Sequence, residues 1–183
     1  MRWLAYRLLR LRGWSFEGEV PPEPKMVVIG APHTSNWDFI VFLAALHHYR
    51  LRVRFLAKDG LFWGPFDWLF RYLGGIPVNR SLPGGVVRQA VESFRTETEM
   101  LLVIAPEGTR AAAPSWKSGF LRIAEAAGVP VLLAALDVPT RRVLIGPLVR
   151  DWANDDDFMT QARDFFSAKR GYRPENQGPV KLG

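Results

Sequence analysis

The chain has no cysteine among its 183 residues, which excludes disulfides, thiolate nucleophiles and cysteine metal sites and is neutral to cytoplasmic location. Histidine is almost as scarce, with only His33, His47 and His48. The latter two fall near the end of a predicted helix, where polar or cationic side chains suit the terminal carbonyls. They lack partner ligands at suitable spacing, so no metal site is expected. Long hydrophobic runs are missing too. The longest, Phe39–Leu46 and Val129–Leu136, are eight residues, against the roughly 20 that a membrane-spanning helix requires. There is no Gly-x-Ser-x-Gly elbow, which counts against an esterase with its own serine nucleophile.

Acid is absent from residues 1–12, which carry Arg2, Arg7, Arg10 and Arg12. As a helix, residues 1–14 set Met1, Leu4, Leu8 and Leu11 on one stripe, arginines around the remaining arc, and Trp3 and Tyr6 at the flank. That is the layout of an interfacial amphipathic helix drawn to anionic lipid. The same stripe also suits a helix docked on its own core, and the sequence leaves both readings open. Arginines interrupt every apolar stretch here, against a secretory signal. The net charge is +6 and the sequence pI about 10.1. No nucleic-acid-binding motif accompanies the charge, so nucleic acid is not expected as a partner.

Length and a 48% hydrophobic content fit one globular domain with a full-sized core. Short runs rich in Val, Ile and Leu alternate with longer helical patterns. This predicts an α/β domain, a mixed, largely parallel sheet flanked by helices. Strands are predicted over 26–30, 52–57, 75–78, 101–105, 130–136 and 142–147. Helices are predicted over 2–12, 36–49, 64–73, 84–97, 117–127 and 157–168, with Gly and Pro punctuating between them. The tail 171–183 reads as irregular.

The most informative stretch is His33-Thr34-Ser35-Asn36-Trp37-Asp38. Pro32 biases Ala31 toward extended backbone and delays helix until about Ser35. With His33 in the preceding turn and Asp38 in the first helical turn, the two side chains can meet, and a His held by an Asp is a base for an alcohol. The same letters also fit a capping box, Ser at the N-cap with an acid three residues on. The hexapeptide alone does not choose between these readings.

In open α/β sheets, ligand chemistry collects where strands feed into loops at their carboxyl ends. His33, Lys58, Asn79-Arg80 and Glu107-Gly108-Thr109-Arg110 all follow predicted strands. Four blocks now stand in order: His33 to Asp38; Lys58 to Pro65 with Gly75 to Arg80; Ala105 to Arg110; and Val129-Pro130-Val131. In this order the chain resembles the glycerolipid acyltransferase family typified by lysophosphatidic acid (1-acyl-glycerol-3-phosphate) acyltransferase. The motif-bearing core spans residues 26–136 within a single acyltransferase domain over 1–183.

The resemblance implies transfer of a fatty acyl group from acyl-CoA or acyl-ACP, as co-substrate rather than cofactor, to a hydroxyl of a lysophospholipid or related lipid alcohol. His33 would be the general base and Asp38 its orienter, without an acyl-enzyme. A neutral imidazole, with an ordinary pKa near 6.5, suits that proton transfer. Arg80 and Arg110, with Lys58, would hold phosphate, since a guanidinium fork matches its oxygens. Gly108 and Thr109 would complete the acceptor site, with Glu107 holding an acceptor hydroxyl or bracing an arginine. Three departures from the family pattern bear on the acceptor rather than on the His-Asp pair: Ala105 where a Phe is usual, Asn79 where an acid often precedes the arginine, and alanines after Arg110. A non-catalytic lipid- or acyl-carrier-binding protein and an acyl thioesterase are the alternatives. The expected location is peripheral, on the cytoplasmic face of a bacterial membrane.

Overall fold

The computed structural model describes residues 1–78 and 84–183, except for the side chain of Lys58. Its centre is a seven-stranded sheet made of β1 (Ser15–Glu17), β2 (Lys25–Ala31), β3 (Arg54–Lys58), β4 (Gly75–Val78), β5 (Met100–Ile104), β6 (Val131–Asp137) and β7 (Arg142–Val149). The spatial order is β1-β7-β6-β2-β5-β3-β4. Neighbours are parallel except β6 and β7, an antiparallel pair, so β1 and β7 run against the other five. Six helices flank it: α1 (Arg2–Leu11), α2 (Trp37–His48), α3 (Gly64–Leu73), α4 (Gly85–Thr96), α5 (Gly119–Ala127) and α6 (Asp155–Phe166). The predicted α/β architecture is the observed one, and each predicted element is present within a few residues. Strand β1 was not predicted, because three residues are too few to show an alternation.

Strand alternation sends successive side chains to opposite faces, and the two faces are filled differently. Val27, Ile29, Leu102, Val131 and Leu133 are each 0% exposed. They pack against Phe120, Ile123, Phe158 and Phe166 of α5 and α6. On the other face Val28, Gly30, Val103, Ala134 and Leu136 are only half-buried, although α2 lies over them. These line an internal cavity of about 1130 Å³. Small residues leave that space: Gly30, Ala57, Ala105 and Ala134 below, Ala45 on α2 above. Helix α2 is apolar on nearly every side because one side faces the cavity and the other packs on α1, where Val41, Leu43 and Ala44 meet Ala5 and Leu9.

The docked face of α1 is therefore Ala5 and Leu9, not the stripe of Met1, Leu4, Leu8 and Leu11, which is exposed with Trp3. Arg2 ties the helix down by donating to the carbonyls of Leu51 and Leu73. Among the described residues, no helix is long and apolar enough to cross a membrane. The tail after α6 is irregular but held in place: a 3-10 turn at Pro174–Asn176 is followed by a bridge between Leu182 and Trp116.

Candidate active site at the mouth of the cavity

The carboxyl ends of β2 and β5 deliver two loops to one rim. After β2 the chain passes Pro32 and enters α2, and Asp38 fastens that turn. Its Oδ2 accepts the Thr34 amide at 2.7 Å and the Ser35 amide at 2.8 Å, while Ser35 Oγ accepts the Trp37 amide at 3.2 Å. The Asp38 bond to the Ser35 amide is the acid half of a capping box, while Ser35 Oγ bonds one residue short of the position the box requires. Asn36, which precedes the first helical residue, is already helical in geometry and makes no side-chain cap. The same Asp38 Oδ2 lies 3.1 Å from His33 Nδ1. The capping and orienting readings of the hexapeptide are thus both realised by one oxygen.

An ionised carboxylate only accepts, so the Nδ1 facing Asp38 carries the proton and Nε2 keeps its lone pair. The Asp38 side chain is 5% exposed and that of His33 33%, so the anchor is dry and the ring reaches the opening. Asp38 Oδ1 is buried without a hydrogen-bond partner among the described residues, which leaves Oδ2 to carry the whole arrangement.

Glu107, in the second loop, accepts the His33 amide through Oε1 at 2.9 Å. It is buried, and its Oε2 has no hydrogen-bond partner among the described residues. Burial raises its pKa above the ordinary glutamate value; the Glu107 and His33 amides and the His33 ring partly counter this, and the Asp38 charge adds to it. Glu107 does not line the main cavity. It faces a small void of about 10 Å³ shared with Trp116, Gln177 and Val180. In the structure it holds the His33 backbone.

Gly108, Thr109 and Arg110 do line the main cavity. Gly108 has φ +67°, and an added Cβ would come within 3.0 to 3.2 Å of the Lys117 side chain, so only glycine fits this turn comfortably. Thr109 Oγ1 accepts the Ala111 amide at 3.2 Å. The Arg110 guanidinium donates to Asn36 Oδ1, joining the two loops across the mouth. Lys117, not singled out by sequence reasoning, lies at the same mouth with its amide bonded to the Pro106 carbonyl at 2.9 Å. A lone lysine outside the recognised block carries no signal; its offset from Gly108 could have found it only with the loop geometry in hand. Lys58 is the last residue of β3, its backbone paired with Val78; its side chain and Arg80 lie outside the described residues.

A base at the mouth of a long apolar cavity, flanked by cations, can activate a hydroxyl beside a buried alkyl chain. His47 and His48 take no part, stacked instead around Tyr6 and Phe16.

No curated protein matches the chain. Among solved structures it is similar to the crystal structure of the 1-acyl-sn-glycerophosphate (LPA) acyltransferase PlsC from Thermotoga maritima, at 20% identity and a TM-score of 0.66, covering 93% of this chain and 79% of that one. That likeness establishes the fold. The model of the acyltransferase family matches residues 15–136, a span that holds the His33 to Asp38 hexapeptide, the Glu107 to Arg110 turn and six of the seven strands' worth of sheet through β6. The chain belongs to the acyltransferase family.

Proposed function

We propose that the protein moves a fatty acyl group from an acyl thioester, carried by coenzyme A or acyl carrier protein, to the hydroxyl of a lysophospholipid such as 1-acylglycerol 3-phosphate or a related lipid alcohol. The observation that carries this reading is the apolar cavity of about 1130 Å³ whose mouth holds His33 and Asp38. The acyl chain lies between α2 and the sheet, and its thioester carbon sits at the mouth. His33 Nε2 takes the acceptor's hydroxyl proton as the oxygen attacks. The C–O bond forms, the C–S bond breaks, and the proton passes to the departing thiolate. Asp38 stabilises the imidazolium in between, as the acid does in a Ser-His-Asp triad, with the acceptor hydroxyl in place of the serine.

Arg110 and Lys117 supply positive charge for a phosphorylated head group, with Gly108 and Thr109 beside it; Lys58 and Arg80 are assigned to the same task from their sequence positions. Every exposed large hydrophobic residue of the described chain falls within residues 1–72: Met1, Trp3, Leu4, Leu8 and Leu11 on α1, Trp37 at the site, and Leu61, Trp63, Phe66, Trp68 and Tyr72 on and before α3. With the α1 arginines, this supports peripheral attachment to anionic lipid on the cytoplasmic face of a membrane.

The test is lipid mass spectrometry after incubating the protein with acyl-CoA or acyl-ACP and a mixed lysolipid extract. An acylated lipid, lost in His33→Ala and Asp38→Asn, is the expected product. Free fatty acid alone would make the protein a thioesterase, and ligand binding without turnover a carrier. Co-sedimentation with anionic liposomes, with and without residues 1–14, tests the membrane arm; equal pelleting removes α1 from it.

A further inference from the structure

We propose that residues 170–183, beyond the span matched by the family model, form a clamp that positions the His33–Asp38 pair, with Gly171, Arg173 and Gln177 as positioning residues. The clamp is anchored at the end of β6, where the Arg170 amide donates to Asp137 Oδ1 at 2.9 Å and the Arg170 carbonyl accepts the Val138 amide at 2.9 Å. Gln177 then closes the strap on itself, accepting the Gly171 amide at 3.2 Å and donating to the Lys169 carbonyl at 2.8 Å. From this closed loop two contacts reach the catalytic turn. The Arg173 amide donates to Thr34 Oγ1 at 3.2 Å. Gly171 lies so close to Thr34 that an added Cβ would overlap Oγ1 and come within 3.0 Å of Cγ2.

Thr34 is 1% exposed, and its amide is one of the two that fix Asp38 Oδ2. The strap therefore acts on the pair through one residue: Arg173 holds the Thr34 side chain, the Thr34 backbone holds Asp38, and Asp38 holds the imidazole. Nearby, Tyr172 packs on Trp14 with ring centroids 6.2 Å apart. Burial raises its phenol pKa, and the Asp38 charge adds to the rise while Arg12 opposes it. The far end of the tail grips the second loop, with Trp116 donating to the Lys181 carbonyl at 2.7 Å and accepting from the Gly183 amide at 3.1 Å. Trp116 precedes Lys117 at the cavity mouth, and Gln177, Gly178 and Val180 cover Glu107. One segment thus spans both loops that build the rim.

A positioning role predicts a loss in turnover rather than in affinity. Displacing a reacting group by a fraction of an ångström costs about tenfold, and by 1 Å about 100-fold. Gly171→Ala and Thr34→Ala should each lower kcat about tenfold or more with KM for donor and acceptor within about twofold, while Thr34→Ser, which keeps the acceptor oxygen, recovers most of the rate. The kinetic arm rests on the acyl-transfer reading. A second arm does not: with only three histidines in the chain, the low-field Nδ1–H resonance of His33 is assignable by NMR through its loss in His33→Gln. It should be sharp in the parent, broadened or absent in Gly171→Ala and Thr34→Ala, and restored in Thr34→Ser. If Gly171→Ala does not fold, Thr34→Ala and Thr34→Ser decide. Unchanged kcat with an unchanged resonance, or a rise in KM alone, overturns the clamp. A parent without transfer activity overturns the acyl-transfer reading instead and leaves the resonance to judge the clamp.

Discussion

The two faces of the central sheet are built from alternate residues of the same strands, yet one is closely packed along most of its length while the other borders a cavity that reaches round to Phe120 and Ile123. Val27 and Ile29 of β2 are fully buried against α5 and α6, whereas Val28 and Gly30, one step along, open into the cavity under α2. The difference lies in side-chain volume. Phe158 and Phe166 fill the first face, while Gly30, Ala45 and Ala134 leave the second unfilled. Protein interiors normally reach crystal-like density, so a void of this size forfeits dispersion contacts that a packed core would have. A fold keeps such a space where something occupies it.

The largest effect should fall where the hollow face meets the rim. His33→Ala and Asp38→Asn are expected to lower the transfer rate by about 10² to 10⁴, measured as initial rates on purified folded protein. Near-parent rates would remove the pair from the chemistry and leave the cavity a binding pocket. Next comes a matched pair of truncations. Leu133→Ala, on the packed face, should cost about 2–5 kcal/mol, whereas Leu136→Ala, three residues along β6 on the hollow face, should cost well under half as much by urea denaturation. Equal losses would mean that the two faces are energetically alike.

The reverse experiment adds volume. Ala124→Phe on α5 overpacks a residue 1% exposed and should destabilise by about 1–3 kcal/mol. Ala45→Phe on α2 enters open space, so it should leave the melting temperature nearly unchanged while shifting donor preference toward shorter acyl chains. A smaller effect concerns Glu107. Because burial raises its pKa, the unfolded chain ionises first as pH climbs above the ordinary value of 4.5, and the folded state loses stability through the window up to the raised value. Glu107→Gln keeps an acceptor for the His33 amide and should be more stable than the parent at neutral pH; the gain should vanish below the ordinary carboxylate range. A thermal melt series from acid to neutral pH reads this directly.

The smallest effect lies on the roof. The pKa of His48 is lowered by burial first, then by Arg10 and His47, so protonation costs stability that is fully present above the ordinary value of 6.5 and is lost as pH falls from there through the lowered value. His48→Gln should flatten that acid loss in the α1–α2 packing, seen as a smaller shift of the Tyr6 and Phe16 ring resonances between pH 7 and pH 5.

The strands were legible because Val, Ile and Leu runs bounded by Gly and Pro leave little choice, and the His33 to Asp38 turn was legible because Pro32 fixes where α2 starts. The hollow was not legible: Val28 and Val27 are the same residue type, and only the size of what faces them across the layer tells a wall from a core. Nor could the His33 backbone be read as what Glu107 braces, since that partner is an amide far away in sequence. The tail defeated pattern reading for a related reason. Its order comes from backbone groups and from Gly171 and Gly178 approaching other chain segments, which leave no periodicity.

The alternation in β2 has one more consequence. Residues that border the cavity and residues that hold the packed core alternate along the strand, and they share neighbours at Phe120 and Ile123, which belong to both, so changes that meet there should couple while those well separated should add. Ala45, on the helix across the cavity from β2 and β6, is the position whose size can change with least effect on the stability held by Val27, Ile29 and Leu133. Such a sheet lets guest selectivity diversify quickly under selection while its foldability stays protected.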